Sequence, residues 1–171
     1  MSWELKALAY SGDPTYLPLL ERVIESHPSS SIKKRAIRAR DLLKHYQQWN
    51  PIIRAGIEEA STQDELVVRR LRNMLHAEAW ELNRAAAKQI YFKYHRDKGL
   101  TEIVAQHLQQ RLKEGSAKRG LHYDAIAWFC KVLGRSKDQQ YAPLIQEVID
   151  QSISPMSVAA AEQALAVLSD S

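Results

Sequence analysis

Apolar residues along this chain recur every three or four positions almost from end to end, the spacing of a helix face rather than the alternation of a strand. Leu5, Leu8 and Ala9 open the pattern, and Gly12 ends the first segment. Asp13-Pro14 restarts helix, because aspartate caps a first turn and proline fits the first helical position. Leu17, Leu20, Val23 and Ile24 then share a face until His27-Pro28-Ser29-Ser30 breaks it. Ser30 or Ser31 is placed to cap a third helix carrying Ile32, Ala36, Ala39, Leu43 and Tyr46 on one side and Lys33, Lys34, Arg38, Arg40 and Lys44 on the others. Trp49-Asn50-Pro51 predicts a break, since the residue before a proline is pushed out of the α region, with a short helix from Pro51 to about Ala60.

Ser61-Thr62-Gln63-Asp64 starts the next predicted helix, with Leu66, Val67, Leu71, Met74 and Leu75 inward. Beyond Ala77, Leu82, Ala86, Ile90 and Tyr94 recur every four residues, and Asp97-Lys98-Gly99 ends that helix. Leu100, Ile103, Val104, Leu108 and Leu112 form a further amphipathic stripe. The stretch 113–120, with two glycines among small polar residues, reads as a loop. Ala125, Trp128, Phe129, Val132 and Leu133 make the next apolar face, which places Trp128 in the core. Two more helices are expected at about 139–151 and 155–168.

Residues 7–25, ALAYSGDPTYLPLLERVIE, align without a gap on residues 132–150, VLGRSKDQQYAPLIQEVID, and eight of the 19 positions are identical. Ser11/Ser136, Asp13/Asp138, Tyr16/Tyr141 and Pro18/Pro143 are among them. The same offset pairs Ala36 with Ala161, Ala39 with Ala164 and Leu43 with Leu168. A weaker copy between them uses Ala86, Ile90 and Tyr94, then Asp97 and Gly99, then Ile103, Val104 and Leu108. The unit is helix, short turn, helix, loop, and one such pair buries too little to stand alone, so neighbouring pairs must stack.

This unit resembles a HEAT-type repeat of the short, HEAT-like kind, through Gly12-Asp13-Pro14 with Pro18 in the first copy and Asp138 with Pro143 in the last. Lys137 and Gln139 replace the glycine and first proline in the last copy, and the middle copy lacks both prolines. The resemblance implies an all-α fold, an α-α superhelix or solenoid of about four helix pairs and roughly ten helices. It implies a single domain over 1–171, with repeat-like units near 1–46, 47–80, 81–114 and 121–168. It further implies a scaffold that holds partners along a curved surface; a minority of HEAT-like proteins bind nucleic acid, excise damaged bases or act as chromophore lyases.

Composition agrees with an ordinary globular chain: 171 residues, 45% hydrophobic and 26% charged. Only 6 Gly and 6 Pro argue against a turn-rich β sandwich or barrel. A single cysteine, Cys130, excludes an intramolecular disulfide and a four-cysteine metal site. No apolar run approaches a membrane span, and Met1-Ser2-Trp3-Glu4-Leu5-Lys6 lacks the pattern of a signal peptide, so a cytoplasmic setting and no membrane partner are expected. The net charge of +4 is unevenly spread: residues 61–120 carry 12 Lys+Arg against 7 Asp+Glu, whereas residues 121–171 carry 3 against 6. A basic middle can bind phosphates by counterion release, but a solvated helix face, with arginine a good helix former, is the favoured reading.

No catalytic signature accompanies the helices. The histidines form no HExxH pair, His76-Ala77-Glu78 lacks the PCxxC partner of a zinc deaminase, and neither a G-x-S-x-G elbow nor a P-loop occurs. Cys130 beside Phe129 reads as a buried, inert thiol and His107 as a partly buried structural residue. Trp49 and Trp80 lie near predicted breaks, where they could be exposed anchors or packing between repeats. The run Tyr91-Phe92-Lys93-Tyr94-His95-Arg96 interleaves aromatics and cations, as base stacking and cation–π packing both require.

The expected function is therefore a non-enzymatic protein–protein interaction module, without catalytic residues, metal or cofactor. The alternative is nucleic-acid binding through a basic surface in residues 61–120. The candidate surface in either case comprises Arg69, Arg70, Arg72, Arg84, Lys88, Lys93, Arg96, Lys98, Lys118 and Arg119 with Trp49 and Trp80. An enzyme of HEAT-like architecture would want an acid such as Asp64, Glu78 or Glu81 in a basic groove. The alanine-rich last helix is either a dimer or partner surface or a helix tucked against its neighbour, so self-association stays open.

Overall fold

In a computed structural model, which describes residues 3–114, 121–151 and 154–170, the described chain is helical and without strands. Among the described residues there are nine α-helices: α1 (Trp3–Ser11), α2 (Leu17–Ser26), α3 (Ser30–Ile53), α4 (Gln63–His76), α5 (Trp80–Gln89), α6 (Lys98–Glu114), α7 (Leu121–Ser136), α8 (Ala142–Asp150) and α9 (Pro155–Ser169). The chain divides into two compact units, Met1–Ala55 and Gly56–Ser171. The division falls inside the second predicted repeat, 47–80.

The first unit is three helices, with α1 and α2 both packed on α3. Its core is the cluster of Ala9, Leu20, Ala39 and Leu43, with Leu5, Leu8, Leu17 and Leu42 against it. Its third helix differs from expectation in two ways. Ser29, not Ser30 or Ser31, caps it, its hydroxyl accepting from the Ile32 amide at 3.4 Å. The helix also runs through Pro51 to Ile53 instead of breaking at Asn50. Asn50 is held in place from outside its own helix. Its side-chain amide donates to the carbonyls of Tyr10 (3.1 Å) and Ser11 (2.7 Å) at the end of α1, while Tyr46 packs between Tyr10 and Trp49 with ring centroids 4.9 and 5.3 Å apart. Instead of a helix from Pro51 to Ala60, the chain turns at Gly56 (φ 64°) into a single 3₁₀ turn, Ile57–Glu59.

In the second unit helices pair in sequence, α4 with α5, α6 with α7 and α8 with α9. The pairs stack so that α5, α7 and α9 form one layer and α4, α6 and α8 the other. This is the helix-pair stacking that the repeat predicts, since each pair covers the apolar face of the next. α7 is central and most deeply packed: Ala125, Phe129, Cys130, Val132 and Leu133 are fully buried. Gly134 faces α9 so closely that a Cβ there would lie 2.7 Å from the Cα and Cβ of Ala164. Asn83 on α5 is also buried, and its amide donates to the carbonyls of Met74, Leu75 and Ala77, each at 2.9 Å, closing the end of α4.

The two aligned segments adopt the same local turn. Ser11 and Ser136 each donate to the carbonyl three residues back at 2.6 Å and accept the amide of the following aspartate. Asp13 and Asp138 then cap a 3₁₀ turn by accepting the amides of Thr15 and Gln140 at 2.9 and 3.2 Å. The connecting residue is left-handed in both, Gly12 at φ 64° and Lys137 at φ 60°. The opposite residue types predict opposite mutational signs. Gly12→Ala adds a left-handed penalty of ~1–2 kcal/mol. It also drives a Cβ to 2.7 Å from the Tyr46 carbonyl carbon and oxygen. Lys137→Gly relieves the same conformation and is expected to gain up to ~1 kcal/mol. Thermal melting of both variants checks the pair.

Candidate functional site

The described candidate residues from the basic middle are engaged in separate local contacts. Arg69 pairs with Glu59 at 2.5 Å, Arg84 pairs with Asp124, and Arg70 is half-buried on α4. Arg72 reaches over the start of α6, its guanidinium 2.8 Å from where a Gly99 Cβ would be. Lys98 lines a shallow hollow of about 410 Å³ together with Glu102 and Asp138, whose carboxylates balance it. Lys93 is exposed on the turn that follows α5. Trp80 is half-buried with the Arg111 guanidinium 4.4 Å above its ring, and Trp49, in the first unit, stacks on His45 at 5.1 Å. Lys118 and Arg119 lie outside the described residues.

Two of the candidates, Arg96 and Lys88, belong to a different constellation. An open groove of about 570 Å³ runs along the second unit where the end of α5, α7 and α9 meet. Its cations are Arg96, Lys131, Arg135 and Lys137, its aromatic walls are Tyr91 and Trp128, and His95, Gln163 and Ser136 complete its polar edge. Among the described residues no aspartate or glutamate lines it. Gly134 and Ala164, in close approach, both line it, so this part of its lining is small and apolar.

Local structure explains the display. α5 widens into one π-helical turn at Ile90–Tyr94, which buries Ile90, turns Tyr91 toward the groove and leaves Phe92 63% exposed beside it. Phe92 and Trp128 each meet Tyr91 in a steeply angled ring pair, with centroids 5.0 and 5.7 Å away. On α7, Trp128, Lys131 and Arg135 are spaced i, i+3, i+7 and so share one face. Lys88 and Lys131 both lie over the Trp128 ring, at 4.9 and 4.8 Å, and Arg135 lies 4.6 Å over Tyr91. Trp128 is thus half-buried in a wall of this groove rather than in the core, because the cations that pack on it need water on their other side.

Electrostatics follow from this crowding. Burial first, then Arg135 and Arg96, hold His95 below the usual histidine range, so it is neutral at pH 7 and adds charge only on acidification. His107, away from the groove, is lowered by burial, then by His76, whose ring is 5.6 Å away, and by Arg111. A histidine depressed in the native state is protonated more readily when unfolded, so stability falls as pH drops from about 6.5 through the lowered values. The melting temperature is therefore expected to be lower at pH 5.5 than at 7.5, and His107→Gln should flatten part of that slope. A pH-independent melt over this range would contradict the assignment.

The remaining chemistry is quiet. Cys130 is buried and its thiol is pushed up to about 12 by desolvation, as expected of an inert core thiol. Among the described residues no three His, Cys, Asp or Glu side chains are grouped to hold a metal ion. No helix of the described residues is long and apolar enough to cross a membrane.

Sequence reading missed Lys131, Arg135 and Lys137. They are the only Lys or Arg residues in 121–171, a stretch whose 6 acidic residues mask them in any regional charge count. The legible signal was narrower: the i, i+3, i+7 placement of an aromatic and two cations on one helix. Comparison of the chain with protein-family models, with curated proteins and with solved structures finds no match.

Proposed function

We propose that the chain is a non-enzymatic binding module of HEAT-like architecture whose working surface is the cation-lined groove of the second unit and whose ligand is polyanionic. The carrying observation is that Arg96, Lys131, Arg135 and Lys137 line one groove with no lining carboxylate among the described residues. Like charges brought together raise each other's energy, and an anionic ligand removes that cost on binding. The solenoid-like stacking of the helix pairs supports a scaffold role. Relative to the basic middle expected from sequence, the surface shifts toward α7.

Heparin, a polyanion without aromatic rings, tests this reading. The wild type is expected to be retained on immobilised heparin and released by salt, since counterion release makes such binding salt-dependent. Lys131→Glu combined with Arg135→Glu should abolish retention while circular dichroism stays helical. Retention unchanged in that double variant would overturn the proposal.

A further inference from the structure

We infer that the groove takes single-stranded nucleic acid, its phosphates on Arg96, Lys131, Arg135 and Lys137 and a base stacked on Phe92. The inference rests on the polyanion reading above and adds to it the chemical class of the ligand. Charge alone does not choose between polyanions; the aromatic side of the groove does. Phe92 is 63% exposed although it packs against Tyr91 and Trp128, so the ring is oriented and most of it still meets solvent. Trp128, by contrast, carries Lys88 and Lys131 at 4.9 and 4.8 Å, which places cations against the ring rather than leaving its faces for a base.

The two kinds of group therefore divide the labour. Lys131 and Arg135 sit about one helical turn apart on α7, with Lys137 just past its end. Together with Arg96, which follows the π-helical turn at the end of α5, they line the same groove. Phe92 stands beside the groove, its ring next to those of Tyr91 and Trp128, which line it. A nucleotide strand is the polyanion that brings a flat ring with every charge, whereas carboxylate polymers bring charge alone. A duplex keeps its ring faces inside its own stack, so it would engage the cations and leave Phe92 unused. Stacking on an aromatic is tolerant of base identity because every base has a π-face, so little sequence preference is expected.

The test uses the full chain and four probes: a short oligothymidylate, an oligouridylate of equal length, an abasic phosphodiester strand of that length, and poly-glutamate. Fluorescence anisotropy at several salt concentrations reads the affinity. Both base-bearing strands are expected to bind more tightly than the abasic strand and poly-glutamate. Four phosphate contacts predict a slope of log affinity against log salt of roughly −3 for single strands, and Lys137→Gln should reduce it by about 0.7. Phe92→Ala is expected to weaken the base-bearing strands about 5- to 150-fold, the range of one lost stacking contact, and to leave the abasic strand unchanged. Phe92→Trp should restore tight binding, which a purely structural role for Phe92 would not predict. A difference between oligouridylate and oligothymidylate, which differ both in sugar and in the base methyl group, would report a preference among single strands and would support the inference.

Equal loss of all four probes in Phe92→Ala, or no loss, would overturn it, and so would poly-glutamate binding more tightly than either strand. Those outcomes leave the polyanion reading standing. If heparin retention is indifferent to Lys131→Glu with Arg135→Glu, the polyanion reading itself fails.

Discussion

Replacing Gly134 with valine is expected to lower the melting temperature by roughly 6–12 °C, the equivalent of about 3 kcal/mol or more for a chain of this size. Even alanine should destabilise. At an ordinary helix position Gly→Ala gains up to ~1 kcal/mol, because alanine restricts the unfolded chain and favours helix. At Gly134 the new Cβ would sit 2.7 Å from the Cα and Cβ of Ala164 and 2.8 Å from its carbonyl oxygen. Two of those atoms are backbone, so no side-chain rotation relieves the contact. α7 and α9 must separate, and overpacking of this kind typically costs ~1–3 kcal/mol.

Cys130, one turn earlier on α7 and fully buried, reports the same event chemically. Its thiol should be unreactive toward a disulfide reagent in the native wild type and should react faster in Gly134→Val. The groove would open with the helices, so heparin retention should fall as well. If Gly134→Ala raised the melting temperature, as at a solvent-facing glycine, the close packing of α7 on α9 would be wrong.

Asn83 carries the second large effect. One buried amide serves three carbonyls, those of Met74, Leu75 and Ala77, where α4 ends and the chain enters α5. Asn83→Leu removes all three donations and leaves buried acceptors unmet, at a cost of ~1–3 kcal/mol or more. Asn83→Asp is expected to be worse, because it sets a carboxylate against carbonyl oxygens with no water between them. The aspartate variant also carries a diagnostic pH dependence. Its carboxyl would be forced upward from the ordinary value, since only the protonated form can donate. The charged form is then penalised in the native state, so the deficit relative to wild type should narrow as pH falls from 8 toward 5. Denaturant melts of the two variants at both pH values measure it. A deficit that stays constant with pH would mean that the residue 83 side chain is not confined among these carbonyls.

Sequence and structure agree best where the physics is local. The Ser11-x-Asp13 and Ser136-x-Asp138 turns were legible because a serine and an aspartate each satisfy an amide two residues away, with no help from elsewhere. The helix pairs were legible for the related reason that periodic apolar faces demand partners. Passage of α3 through Pro51 was not legible, because Asn50 is secured by carbonyls of Tyr10 and Ser11, about forty positions away in sequence. The groove fell between these cases. Lys131 and Arg135 beside Trp128 could be read on one helix face, but their convergence with Arg96 across α5 and α7 is a tertiary fact. Regional charge pointed toward the basic middle, where Arg69 and Arg84 are already engaged by Glu59 and Asp124.

The central claim is that one groove, walled by Trp128, receives the polyanion. The chain has four tryptophans, Trp3, Trp49, Trp80 and Trp128, so the indole N–H region of a ¹H–¹⁵N correlation spectrum offers a separate probe for each. Titration with a heparin oligosaccharide should displace the Trp128 indole resonance and leave those of Trp3, Trp49 and Trp80 in place. Displacement of Trp49 or Trp80 with Trp128 unmoved would contradict the account.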